Sequence, residues 1–162
     1  SRGLGDVYKR QLKPWVGRCT VEFCQDKQNK TKHQGGCNTP LKLMRTQVCG
    51  DGRCELPILH TAGGLVGGDE LEIKINLKKG SKSLLSTVAA QKIYGSIRRS
   101  RIKPEGTWCQ QKVMITQEEN TELEWLPQET IIYENALYEQ EVSVQLEPNS
   151  SFLTMDLSLI HI

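Results

Sequence analysis

The sequence has no strong excess of charge of either sign and no long apolar segment. Its 162 residues carry 21 Lys and Arg against 19 Asp and Glu, a formal net charge of +2. So small a charge does not indicate a nucleic-acid partner. No apolar run approaches the roughly 20 residues that a transmembrane helix needs, and no signal peptide is visible. The sequence predicts a cytoplasmic protein of one domain, without nucleic-acid or membrane partners.

Residues for catalysis are also scarce. The chain has three histidines, and only His33 and His60 are credible for chemistry. No Ser-His-Asp or Cys-His arrangement can be placed, which predicts that the protein is not an enzyme. His33 lies in a polar stretch and is expected at the surface. His60 precedes a glycine-rich turn and is either a structural histidine or a transient metal ligand.

Six cysteines are present, but their pattern is not diagnostic. They are Cys19, Cys24, Cys37, Cys49, Cys54 and Cys109. Two pairs have the same gap of four residues, which a zinc site can use, but the close pairs and clustered histidines that usually accompany it are absent. Disulfides would require an oxidising compartment. We expect mostly buried or incidental free thiols.

A glycine-rich stretch is the strongest local signal. It contains Gly63, Gly64, Gly67 and Gly68 and closes on Asp69. Residues 70–77 then alternate apolar and polar side chains, the period of a half-buried strand. A phosphate-binding loop needs a helix N-terminus behind its glycines, and no Lys-Ser or Lys-Thr pair follows here. The pattern therefore favours a structural turn between strands, with Asp69 capping local amides.

Alternating strands recur along the chain. Three segments share one outline of strand, polar turn and second apolar run: residues 73–85, 113–125 and 142–154, with turns at Gly80, Asn120 and Asn149. Gly and Asn tolerate positive φ, so the turns agree with the strands. Helical periodicity is nowhere sustained, and residues 88–93 are only a short candidate. The fold class predicted is all-β, with stacked, solenoid-like antiparallel or mixed sheets and little helix.

The N-terminal part is predicted to be strand, loop and strand. Residues 12–23 are a predicted strand that offers Trp15 and Phe23, among others, for burial. Residues 25–36 are polar and aperiodic, which predicts a solvated loop, and residues 40–45 a second strand. Farther on, residues 97–103 carry four basic side chains. Such a cluster is typical of a solvated face; an acidic protein partner is the alternative, and RNA a more distant one.

Three longer strings carry a family resemblance. They are LHTAGGLVGGDELEI at residues 59–73, STVAAQKIYGS at 86–96 and EWLPQETIIYENALY at 124–138. In this order they resemble the urease accessory protein UreD family, also called UreH. UreD proteins are markedly longer, so the resemblance implies their N-terminal half. It also implies a β-rich, solenoid-like stack of sheets that is incomplete at the C-terminal end.

The resemblance implies a function. As in that family, we expect a non-enzymatic assembly factor that binds the urease apoprotein, UreF and UreG and helps deliver nickel to the urease active site. No cofactor would be bound stably, and Ni²⁺ only transiently. Nickel accepts carboxylate and imidazole ligands, so Asp69, Glu129 and His60 are the implied points on its route. Tyr94 and Gln128 are expected to support or pack around them, and Pro127 forces an extended entry to Glu129.

A second interpretation stays open at this point. The chain could be a standalone β-sandwich binding module or a small enzyme that holds an anion at the turn of residues 63–69. Urease genes beside this one would favour the first interpretation. A tight nucleotide or sugar ligand would favour the second.

The two ends of the sequence differ from the family pattern. Residues 1–11, SRGLGDVYKRQ, and residues 157–162, LSLIHI, are interpreted as translated adapter scars around residues 12–156. The strand predicted at residues 152–156 would then stand at a boundary with unpaired backbone groups. We expect such a chain to self-associate.

Overall fold

A computed structural model describes residues 13–160, and in this range the protein contains fourteen strands and no helix. This confirms the all-β prediction. The strands are β1 Val16–Gln25, β2 Thr31–Cys37, β3 Leu41–Leu43, β4 Gln47–Val48, β5 Cys54–His60, β6 Glu70–Leu77, β7 Lys82–Thr87, β8 Gln91–Ile93, β9 Cys109–Gln117, β10 Glu122–Leu126, β11 Thr130–Ile132, β12 Tyr138–Leu146, β13 Ser151–Thr154 and β14 Ser158–Ile160.

The strands form three sheets that the chain visits in turn. The first sheet has the order β12-β9-β6-β1-β2, the second β13-β10-β7-β5-β3 with β4 beside β5, and the third β14-β11-β8. From β6 onward the chain passes once through each sheet and then returns to the first. This makes three coils of a solenoid: a first coil (β6, β7, β8), a second (β9, β10, β11) and a third (β12, β13, β14).

Parallel pairing joins the coils, and each residue stacks on its equivalent in the next coil. Ile73 pairs with Val113, which pairs with Val142, and Ile93 pairs with Ile132, which pairs with Ile160. The turns between the first two sheets lie at Gly80, Asn120 and Asn149, with φ of 77°, 58° and 59°. The three segments picked out in the sequence are therefore the repeated unit of a solenoid.

Antiparallel strands close the N-terminal side of the stack. β1 adds to β6 in parallel and then pairs with β2 in antiparallel fashion, while β3 and β4 pair antiparallel with β5. The sheets are thus mixed, as predicted, but antiparallel pairing is confined to this side.

The core lies where the three sheets face one another. In β6 the side chains of Leu71, Ile73, Ile75 and Leu77 are buried, as the alternation predicts. On the opposite face Lys74 is exposed, Glu72 is half-buried, and their side chains form an ion pair of 3.1 Å.

Two local predictions were wrong, and one helix candidate is a strand. Residues 25–36 are not one loop, because β2 lies there and pairs with β1 along its whole length. Residues 88–93 contain β8 rather than helix, since Gln91 to Ile93 stack in parallel on β11. Trp15 is 47% exposed rather than buried, because it precedes the first residue of β1. In each case the local pattern was overridden by the presence or absence of a neighbouring strand in the tertiary structure.

The predicted scars are only partly within the described residues. Residues 1–11 lie outside them. In the second string, Ser158–Ile160 form β14, which pairs with β11.

Candidate functional site

The glycine-rich loop occupies the place of a third-sheet strand. The chain leaves β5 at His60 and enters β6 at Glu70. Between them Leu65 forms a single parallel bridge with Ile93 of β8. Its N–H donates to the Lys92 carbonyl at 2.8 Å, and its carbonyl accepts from the Tyr94 N–H at 2.9 Å. The glycines therefore join strand to strand, as the sequence predicts.

Glycine is required in this loop for close approach. A Cβ on Gly64 would lie 2.6 Å from Tyr94 Cε2 and 2.7 Å from the Lys92 carbonyl oxygen. A Cβ on Gly67 would lie 2.6 Å from the Thr107 carbonyl oxygen. Gly63 and Gly68 also take positive φ, of 74° and 96°. Larger residues would push the loop away from β8 and from the segment before β9.

The buried carboxylate of Asp69 holds the loop in place through hydrogen bonds to backbone N–H groups. Its side chain is 1% exposed; Oδ1 accepts the Trp15 N–H at 2.8 Å, and Oδ2 accepts the Val66 N–H at 2.9 Å. Removing a buried acceptor leaves donors unpaired, at a cost of about 1–3 kcal/mol. The capping of local amides predicted for Asp69 is therefore present, and it extends to the entry of β1.

A cavity of about 210 Å³ lies behind this loop, inside the solenoid. Apolar side chains of Leu41, Ile58, Leu71, Ile73 and Trp125 form part of its wall. The polar lining consists of His60, Thr87, Gln91, Lys92, Gln111, Gln128, Thr130, Gln140 and Asp156, and Gly63, Ala89, Ala90 and Pro127 complete it. The apolar part of the wall thus comes from β3, β5, β6 and β10, and the polar part from all three coils and from His60 at the end of β5.

Two buried nitrogen atoms at this cavity have no hydrogen-bond partner within residues 13–160. They are Nε2 of His60 and Nε2 of the Gln91 side-chain amide. Burial lowers the pKa of His60 below its ordinary value of 6.5, against the opposing effects of the Asp69 charge and the nearby Gln91 side chain. The imidazole is thus neutral at neutral pH. Unpaired polar atoms in a buried site call for an explanation.

The opposite side of the cavity is a small polar network. The Tyr138 hydroxyl donates to Gln140 Oε1 at 2.7 Å, and Gln140 Nε2 donates to Asp156 Oδ2 at 3.2 Å. Gln111 and Gln140 stack in register on Leu71 of the first coil. The sequence interpretation missed these residues. Glutamines at inward positions of alternating strands were the signal that could have found them.

The remaining candidate residues lie around the rim. Pro127 and Gln128 line the cavity, and the Glu129 carbonyl accepts the Gln91 N–H at 2.9 Å. The half-buried Glu129 carboxylate has no ion pair or hydrogen bond within the described part of the chain. Tyr94 lies outside the cavity, stacked on Tyr133 with ring centroids 5.5 Å apart.

The structure does not gather the predicted metal residues into one preformed centre. Among residues 13–160 no group of three or more His, Cys, Asp or Glu side chains could hold a metal ion. His60 and Asp69 interact electrostatically, but both Asp69 oxygens already accept backbone N–H groups. All six cysteines are free thiols, and three of them, Cys19, Cys54 and Cys109, are buried.

Two features of the loop do not favour the anion-binding interpretation. β6, not a helix, follows the glycines, so no helix dipole is directed at the loop. The N–H groups of Leu65, Val66 and Gly68 are already donated to the Lys92 carbonyl, the Asp69 carboxylate and the Trp108 carbonyl.

An exposed aromatic and basic surface surrounds the loop on the outside. Its apolar members are Trp15, Val66, Ile102 and Trp108, which are 47%, 48%, 81% and 56% exposed. Arg98, Arg99, Arg101 and Lys103 supply its charge, and none of them forms an ion pair within residues 13–160. Arg99, Lys103 and Val66 share one open groove. Exposed tryptophan and arginine are typical of protein interfaces.

The sequence of the chain also matches known proteins. The sequence model described as UreD urease accessory protein matches residues 16–161. The chain is 53% identical over 148 residues to the urease accessory protein UreD of Parasynechococcus marenigrum (strain WH8102), covering 91% of this chain and 47% of the relative. It is 52% identical over 153 residues to UreD of Synechococcus sp. (strain WH7805), with 91% and 48% covered.

A more distant relative gives the same result. UreD of Prochlorococcus marinus (strain MIT 9313) is 43% identical over 151 residues, with 90% of this chain and 47% of the relative covered. The chain thus spans about half the length of the curated relatives it matches. Within residues 13–160, no helix is long and apolar enough to cross a membrane. A family match over nearly the whole chain, with identities around one half, leads to one conclusion: the chain belongs to the UreD urease accessory protein family.

Proposed function

We propose that this protein is a non-enzymatic assembly factor of urease, acting in the cytoplasm. In this proposal it binds the urease apoprotein together with UreF and UreG, and it gives nickel a protected route toward the urease active site. Family membership supports the first part, since the relatives are named urease accessory proteins. The observation that carries the second part is the interior cavity, where the Nε2 atom of His60 is unpartnered within the described residues.

The chemistry of this cavity suits a transient cation. A neutral imidazole presents a nitrogen lone pair, which is a good ligand for Ni²⁺. Burial favours the neutral form of His60 and so keeps this lone pair available at neutral pH. One imidazole among amide oxygens is a weak site, because nickel usually takes several ligands. Weak binding is what a carrier needs, since the ion must leave again.

Carboxylates lie at two other points of the proposed route. Asp156 lines the cavity on the side of the third coil, and Glu129 lies next to the lining residue Gln128 with its carboxylate unpaired in the described chain. Asp69 differs, because its oxygens are engaged by backbone N–H groups. We propose that Asp69 assists through its charge near His60 rather than as a direct ligand.

The aromatic and basic surface is the part that we propose for partner binding. Tryptophan and arginine side chains supply most of the binding energy at many interfaces when a partner buries them. Arg98, Arg99, Arg101 and Lys103 add positive charge that favours an acidic partner and fast association. This surface lies outside the loop that walls the cavity, so partner binding and nickel passage can be tested separately.

The test is made in a chimaera in which this chain replaces the matching half of the Parasynechococcus marenigrum UreD. It is co-expressed with urease, UreF and UreG, and the nickel content of purified urease is measured. His60→Gln should reduce the nickel content and activity of urease without weakening co-purification of the partners. His33→Gln is the matched control, because His33 lies on the edge strand β2, away from the cavity.

Glu129→Gln is expected to act in the same direction as His60→Gln, with a smaller loss of nickel. Full nickel in urease from both variants would show that the route does not use this cavity. Arg99→Glu combined with Lys103→Glu should instead reduce co-purification of the partners. If those charge reversals leave the complex intact, partners bind elsewhere.

A further inference from the structure

Cys19 and Cys37 lie directly opposite each other on neighbouring antiparallel strands. Cys19 is in β1 and Cys37 ends β2, and the two are register partners. The adjacent pair is the hydrogen-bonded one, since the Asn38 N–H donates to the Arg18 carbonyl at 2.9 Å. Cys19 and Cys37 therefore form a non-hydrogen-bonded pair, in which Cα atoms are about 4.5 Å apart and side chains approach most closely. This spacing falls within the range that a disulfide spans.

The two thiols are in contact but differ in their surroundings. Cys19 is 1% exposed, whereas Cys37 is half-buried on the edge strand and packs against the core. The Cys19 thiol hydrogen-bonds to the Cys37 sulfur, which also accepts the Leu43 backbone N–H. These two donors lower the pKa of Cys37, while the same contact and burial raise the pKa of Cys19. Cys37 is thus the sulfur that an oxidant in solution reaches first.

The other cysteines do not share this geometry. Cys24 is opposite Lys32, and its offset of five residues from Cys19 puts it on the other face of β1. The Cys49 thiol donates to Glu55 Oε1 at 3.1 Å, and the Cys109 thiol donates to the Leu137 carbonyl at 3.3 Å. Cys54 is buried, and its pKa is raised to about 11 by burial and nearby charge.

We infer that Cys19 and Cys37 are a dithiol oxidation site, which a small-molecule disulfide of the glutathione type converts to an intramolecular disulfide. This goes beyond the proposed nickel route, since neither cysteine lines the cavity. The site would covalently fasten the edge strand β2 to β1 under oxidising conditions.

The reaction balances as a thiol–disulfide exchange in two steps. The Cys37 thiolate attacks one sulfur of the oxidant, which breaks the S–S bond and releases one equivalent of the reduced small thiol. The Cys19 sulfur, after losing its proton to solvent, then attacks the Cys37 sulfur of the mixed disulfide and releases the second equivalent. The protein loses two hydrogen atoms, and one disulfide is reduced to two thiols.

The test incubates the folded chain with oxidised glutathione, blocks remaining thiols by alkylation, and maps the tryptic peptides by mass spectrometry. The expected product joins CTVEFCQDK to HQGGCNTPLK, with fragmentation assigning the link to Cys19 rather than Cys24. It should lack two hydrogen atoms and two alkylation sites relative to the reduced chain. Unfolding in urea before oxidation should abolish this preference, because the strand register is lost.

Cys37→Ser should abolish the product, and Cys24→Ser, the matched control, should leave it unchanged. Cys19→Ala should also raise the pH at which Cys37 becomes reactive toward iodoacetamide, because one donor to its sulfur is lost. Oxidation should raise the thermal unfolding midpoint of the wild-type chain but not of Cys37→Ser. The inference is overturned if folded wild-type chain gives no Cys19–Cys37 peptide, or links Cys24 as readily as Cys19.

Discussion

The first and third coils have the same sequence outline but different environments. Ile73 of the first coil is 3% exposed, whereas its stacked equivalent in the third coil, Val142, is 40% exposed. Leu77 and Leu146 differ in the same way, at 1% and 51%. In both coils the apolar residues alternate along the strand as a half-buried strand requires.

The difference comes from the neighbours of each coil. β6, β7 and β8 each have a strand or a bridging residue on both sides within their sheets, but β12, β13 and β14 are the outermost strands of theirs. A residue facing the interior is covered only when coils lie on both sides of it. Burial in a solenoid is therefore set by stacking position, and the same local pattern gives a core in one coil and an exposed apolar face in another.

The largest effect is expected from a charge placed at equivalent positions of the two coils. Ile73→Asp puts an unpaired carboxylate between Cys19 and Val113 and should cost about 4 kcal/mol or more of unfolding free energy. Val142→Asp should cost less than about 1 kcal/mol, because water reaches that side chain. Urea denaturation measures both, and equal costs would show that the third coil is covered as well as the first.

A smaller effect is expected from removing apolar volume. Leu77→Ala should lower the unfolding free energy by about 2–4 kcal/mol, because it leaves a cavity in a closed core. Leu146→Ala should change it by roughly 0.5 kcal/mol or less. Thermal or urea unfolding of the two variants gives the comparison. A large loss for Leu146→Ala would indicate that this side chain is covered in solution, for example by self-association.

Charged substitutions in the third coil should reduce self-association while hardly changing the free energy of unfolding. Leu153 and Leu159 are 57% and 48% exposed on outermost strands. Leu153→Lys combined with Leu159→Lys should increase the monomer fraction in sedimentation experiments. The free energy of unfolding should change by only roughly 0.5 kcal/mol. Thr116→Lys, on the exposed face of the second coil, is the control and should have no effect. A wild-type chain that sediments as a monomer would contradict the prediction.

The smallest expected effect is on the pH dependence of stability, through His60. Burial lowers the pKa of His60 in the folded chain below 6.5, so below pH 6.5 the unfolded chain binds a proton there more readily than the folded chain. Stability from this group is therefore present above pH 6.5 and is lost as the pH falls through the folded pKa. His60→Gln should flatten the pH dependence of unfolding over this range. An unchanged pH dependence in His60→Gln would show that another group is responsible.

Much of the fold could be predicted because its repeat depends on short-range features of the sequence. The alternation in residues 70–77 and the turns at Gly80, Asn120 and Asn149 follow from side-chain period and backbone sterics alone. β2 could not be predicted in this way, since its polar residues become a strand only by pairing with β1. Residues 88–93 were likewise no more than a short helix candidate in the sequence, because β8 forms there only by pairing with β11.

The candidate site was predictable only in part. His60 and the glycines stood out because their residue types are rare or conformationally special. The other polar residues of the cavity did not stand out, since glutamine and aspartate are usually solvated and nothing nearby in sequence marks them. These residues are Gln91, Gln111, Gln140 and Asp156. They meet at one cavity because parallel stacking brings residues about 30 to 40 positions apart into register.

The sequence by itself determined the family, the all-β class, the glycine turn and the inward face of β6, because long motifs and short-range periodicity carry that information. Only the tertiary structure decided that the coils stack in parallel, that Cys19 faces Cys37, and that His60 opens onto a cavity. These depend on which distant strands become neighbours. Burial, pKa and exposure are properties of that neighbourhood, and no local pattern contains them.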